Sequence, residues 1–134
     1  ALILFNEAGV PCVFWGDLLG SPESDDLPAV RELPVLMSIR ARAAVGPQHN
    51  AFDDPDVVGF AREGKEEIPG SGCAVILSDR MAAEKTLYVG ARHAGQEWEC
   101  VIGGHPSVRV ADDGTLTGVV SDGGLSVYVP RSNA

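Results

Sequence analysis

Three aspartates crowd one turn of this 134-residue chain, where Asp53, Asp54 and Asp56 stand around Pro55. Carboxylates that close could serve a hard cation, which takes oxygen ligands, but aspartate beside proline is equally the ordinary chemistry of a solvated turn. His93 and His105 lie in glycine-rich loops with no cysteine or histidine at ligand spacing, and neither follows a nucleophile motif. They read as surface histidines. Cys12, Cys73 and Cys100 are odd in number, far apart and embedded in apolar runs. That pattern fits neither a zinc pair nor a disulfide framework, so buried free thiols are expected, and the compartment leans slightly towards the cytoplasm over secretion.

The elements that must position these residues change character at Gly46. Before it, Ala1 to Gly9 reads as the end of a helix, with Gly9 just past it, and Val10 to Trp15 is a continuous apolar run like a parallel strand buried on both faces. A helix begins around Leu27 and Pro28, with Asp25 or Asp26 as cap and Leu33, Leu36, Met37 and Ala41 along one face. Pro34 must kink or restart it, and Gly46 stops it. Helix, strand, helix is the α/β rhythm, but these pieces cannot close a core alone. The chain therefore reads as the tail of something larger.

From Pro47 onward, apolar residues alternate with period two at Val58/Phe60, Leu87/Val89, Trp98/Cys100/Ile102, Val108/Val110 and Leu125/Val127/Val129. Those are half-buried antiparallel strands. Cys73 to Leu77 is apolar at every position and should be the central strand, covered on both faces. Asp113-Gly114 and Asp122-Gly123-Gly124 have the composition of hairpin turns. With Gln48 to Phe52 counted, about eight strands make a mainly β fold, a sandwich or Greek-key barrel.

Hydrophobic residues at 45% and charged residues at 22% are those of a folded globular chain. The net charge of -9 divides as -3 before Pro47 and -6 after it, so acidity is spread throughout and nucleic acid is not an expected partner. No run of about 20 apolar residues suggests a membrane span.

The ordered set Gly9 to Asp17, the proline-bearing helix, Gln48 to Gly64, Gly70 to Asp79, Leu87 to Gly90, Ala94 to Trp98 and Gly123 to Val129 closely resembles the C-terminal end of bacterial α-amylases, the family-13 glycoside hydrolases that cut internal α-1,4 bonds of starch and glycogen. The resemblance covers nearly the whole chain. It implies that residues 1–45 are the last helix, strand and helix of a (β/α)8 barrel and that residues 46–130 are an antiparallel Greek-key β-sandwich. The family's aspartate nucleophile and glutamate acid would sit on earlier barrel strands, so the segment should not hydrolyse glucans alone.

The resemblance also implies two sites. Trp15, Gly16 and Asp17 end the eighth barrel strand, on the face where such enzymes place substrate, and would shape the sugar cleft. His49, Asn50 and Asp79 align with positions that hold calcium between barrel and β-domain in some relatives, although asparagine brings an oxygen without a charge. Expected partners are the rest of the barrel, an α-glucan in the parent enzyme, and a second copy of the chain wherever barrel surface is left bare. Two other functions compete. A carbohydrate-binding module needs a row of exposed rings, and Phe52, Phe60, Tyr88, Trp98 and Tyr128 sit mostly at core-like positions. A structural interaction domain with an unrelated partner is the third reading.

Overall fold

The computed structural model describes Phe5 and residues 33–54, 56–79, 82–121 and 124–131. Helix α1 (Leu33–Arg42) is followed by β1 (Gln48–Ala51), β2 (Val57–Arg62), β3 (Cys73–Ser78) and β4 (Ala83–Tyr88), then a 3-10 turn (Ala91–His93), β5 (Glu97–Ile102), β6 (Val108–Arg109), β7 (Thr115–Val120) and β8 (Leu125–Pro130). Six strands form one sheet in the order β1-β2-β3-β8-β5-β6, and β4 and β7 form a second. All pairings are antiparallel. This is the β-sandwich expected from the alternation.

The all-apolar run at Cys73 becomes β3, in the interior of the large sheet between β2 and β8. Period-two geometry explains why it needs no polar face. Cys73 and Val75 join Phe60, Val127 and Val129 in a core under α1, while Ala74 and Ile76 join Leu87, Trp98, Leu116 and Tyr128 in a second core under β4 and β7. Three layers result: helix, large sheet, small sheet.

The described helix runs over Leu33–Arg42 and includes Pro34, while the start expected near Leu27 and its cap at Asp25 or Asp26 lie outside the described residues. The core-facing stripe is Leu36, Ile39 and Ala43, and Met37 and Ala41 are exposed, which rotates the expected face. Leu36, Ile39 and Ala43 recur at three and four residues, the spacing of one helical face. Phe5 is helical and fully buried against them. The strand expected at Val10 to Trp15 lies outside the described residues, as do Gly16, Asp17 and Cys12. Among the described residues, no helix is long and apolar enough to cross a membrane.

Two expected hairpins are links between layers. The turn at Asp113-Gly114 joins β6 of the large sheet to β7 of the small one, and the link through Gly124 returns from β7 to β8. The first is nevertheless a tight turn: Gly114 has φ 83°, and Ala111 N–H donates to Thr115 O at 2.8 Å. Strand β7 escapes the alternation pattern because its inward side chains, Leu116 and Val120, flank Gly118. A Cβ there would lie 2.7 Å from both Ile76 Cδ1 and Tyr128 Cε2. Only glycine lets the two sheets approach so closely.

Candidate functional site

The acidic turn links β1 to β2, and most of its chemistry is spent locally. Asp56 N–H donates to Asp54 Oδ1 at 2.9 Å, a side-chain turn. Lys85 Nζ donates to Asp53 Oδ1 at 2.6 Å, and that hydrogen bond holds the Asp53 carboxyl below its ordinary range. Asp56 neighbours Asp79: past the Val57–Ser78 rung, Asp79 N–H donates to Asp56 O at 3.1 Å.

Asn50 is elsewhere. It opposes Phe60, which opposes Val75, four residues before Asp79. Two strand spacings and four residue rises put Asn50 and Asp79 roughly 15 Å apart. Asn50 Oδ1 instead accepts from Gln48 Nε2 at 2.6 Å. His49 points to the opposite face, with its ring edge-on to Tyr88 at 4.8 Å between centroids. Its Nε2 lies 3.0 Å from Glu63 Oε2, close enough for an ion pair but off the line of a hydrogen bond. His49, Asn50 and Asp79 therefore do not fit one calcium ion. Among the described residues, no three His, Cys, Asp or Glu side chains converge as a metal site.

His93 corrects the surface reading. It is 3% exposed, because the 3-10 turn carries its ring inward, edge-on to Trp98 at 5.1 Å. Its Nε2 donates to Glu63 O at 2.6 Å, and Nδ1 lies 2.8 Å from Gln96 Oε1. His105 stays partly exposed beside the Ser121 hydroxyl. Trp98 is core, as the alternation indicated.

The helix-facing side of the large sheet is one of the two apolar cores. Phe60, Cys73, Val75, Val127 and Val129 pack there under Phe5, Leu36 and Ile39. Burying one such large side chain stabilises a fold by about 1.5–3 kcal/mol. Burial also pushes the Cys73 thiol up to about 12, although the nearby Arg62 guanidinium opposes the shift. Cys73 and Cys100 are free thiols. Arg62 ends β2 almost fully buried and ties the layers together, donating from NH1 to Phe5 O and from Nε to Gly46 O, each at 2.9 Å. A guanidinium with several donors can hold two separate carbonyls at once.

Comparison with known proteins gives this surface a context. The chain is 38% identical over 133 residues to an α-amylase of Geobacillus stearothermophilus, matching 98% of this chain and 24% of that protein. It is 35% identical over 133 residues to a glucan 1,4-α-maltohexaosidase of Bacillus sp. (strain 707), matching 98% of this chain and 26% of that protein. The chain is thus similar to one segment of α-amylases. It spans about a quarter of the length of the curated relatives it matches. The crystal structure of an Anoxybacillus α-amylase shares its fold, with a TM-score of 0.64 at 17% identity over 98% of this chain and 31% of that one. No family model matches the sequence.

Sequence reasoning missed Arg62, Asp56 as the neighbour of Asp79, and the burial of His93. Arg62 carried a signal, being an arginine that closes the run Val57-Val-Gly-Phe-Ala. The pairing of Asp56 with Asp79 needs the β2–β3 register, which spacing along the chain does not contain.

Proposed function

We propose that this chain forms the C-terminal part of a glycoside hydrolase acting on α-1,4-glucans, and that its β-domain steadies a catalytic (β/α)8 barrel without taking part in the chemistry. The observation that carries this reading is the apolar sheet face roofed by Phe5 and α1 and pinned by Arg62. A face of that kind suits permanent packing against a neighbouring unit rather than solvent. The glucan is supported by the name of the maltohexaosidase relative. Val35 and Met37, exposed on the outer side of α1, would meet further barrel elements or, without them, a second copy of the chain.

A free-standing carbohydrate-binding module has less support, since Phe60, Trp98 and Tyr128 are fully buried and only Phe52 and Tyr88 of the five rings are exposed. The test is Phe60→Ala in the full-length enzyme. Truncating a buried phenylalanine costs about 3–5 kcal/mol. The thermal midpoint should fall by several degrees while starch hydrolysis at 25 °C, a temperature well below unfolding, stays within about twofold. Loss of turnover with an unchanged midpoint would place the domain in the catalytic machinery and refute the reading.

A further inference from the structure

A cleft of about 580 Å³ opens where the loop after β2 meets the start of β5, β6 and the end of β8. Its size lies within the range of small-ligand sites, roughly 300–1,000 Å³. Pro69 and Pro130 give it apolar walls, and Gln96, Glu97, Arg109 and Arg131 line the rest.

Each of these polar side chains is anchored. Trp98 Nε1 donates to Gln96 Oε1 at 3.3 Å, and an indole N–H can only donate, so the amide oxygen is fixed inward and the amide nitrogen is turned away. His93 Nδ1 lies 2.8 Å from the same oxygen on the buried side. Arg109 NH1 donates to Gly95 O at 2.9 Å, and Arg131 NH1 to Glu97 Oε2 at 3.0 Å. Among the described residues no partner takes the Gln96 amide nitrogen, the second Glu97 oxygen or the other guanidinium N–H groups. Side chains locked in this way present a preorganised surface, which lowers the entropy cost of binding.

The composition of that surface selects the ligand. A site for an anion would gather donors alone, yet here Glu97 sits opposite Arg109 in the ladder and in contact with Arg131. Donors beside a carboxylate acceptor suit hydroxyl groups, each of which both donates and accepts. The net charge of -9 also repels polyanions at long range. The proline rings offer apolar contact to the C–H faces of a pyranose. We propose that this cleft is a neutral-oligosaccharide site that takes a short run of α-1,4-glucan on the β-domain itself; the choice of glucan, though not of oligosaccharide, rests on the function proposed above.

The experiment is isothermal titration of the chain with maltoheptaose, cellohexaose and inorganic phosphate, repeated on Arg109→Ala and Gln96→Ala. Saturable binding of maltoheptaose, weakened at least tenfold in both variants with circular dichroism unchanged, is expected. Gln96→Ala also releases the clamp on Trp98, so Arg109→Ala, whose side chain is exposed, keeps the test independent of folding. Binding that survives Arg109→Ala overturns the assignment of the cleft, and so does binding of phosphate alone. Preference for cellohexaose overturns the glucan and counts against the amylase-like function as well. A flat trace with all three ligands overturns the cleft only, because the barrel-stabilising role is read from the thermal midpoint of the enzyme.

Discussion

Arg62 NH1 and Phe5 O are 2.9 Å apart although 57 residues separate them in the chain. Through this contact and its second bond to Gly46 O, one buried side chain holds the β-domain to the segment before it. Arg62→Met keeps the apolar stem but leaves two carbonyls without their donor, at a cost of about 1–3 kcal/mol. Urea unfolding of the chain should show a midpoint lowered to match. An unchanged midpoint would mean that the contact is solvent-replaceable.

Close approach of the two sheets at Gly118 gives a second expectation. Its backbone does not need a positive φ, so Gly118→Ala tests space alone. Pushing Ile76 and Tyr128 aside should cost about 1–3 kcal/mol. Ring contacts of Tyr128 in NOE spectra should change with it. A variant as stable as the parent would show that β7 can move outward freely.

Alkali should weaken the fold through Cys73. Its thiol, with an ordinary value of 9.0, is pushed up to about 12 by burial. The folded state thus favours the protonated form, so this contribution is whole below pH 9 and is lost as pH rises towards 12. Tyr128, raised by burial, acts in the same direction. Unfolding free energy measured at a series of pH values above 9 should fall more steeply for the parent than for Cys73→Ala. Parallel curves would remove Cys73 from the account.

The β2–β3 register bears on calcium. Since Asp79 adjoins Asp56 rather than Asn50, converting Asn50→Asp should leave the calcium dependence of the enzyme's thermal midpoint unchanged. A midpoint that rises with calcium only in the Asn50→Asp enzyme would restore the site expected at His49, Asn50 and Asp79.

Much of the β-domain was legible along the chain, because alternation of period two is a local record of which face each side chain takes. The run Cys73 to Leu77 announced a strand covered twice, and Trp98 announced a core position. The ordered set of segments from Gly9 to Val129, Gln48 to Gly64 among them, pointed to a resemblance to α-amylases. What only the tertiary structure decided are relations between distant residues. That two glycine turns connect layers rather than neighbouring strands depends on which strands pair, and a turn's composition is the same in both cases. His93 is buried because Glu63, Gln96 and Trp98 meet around it, and no neighbour in sequence records that meeting. Asp56 reaches Asp79, and Arg62 reaches Phe5, through ladder register and layer stacking. Such contacts are set by how strands and layers assemble, and the order of residues in any one strand constrains them only through the whole.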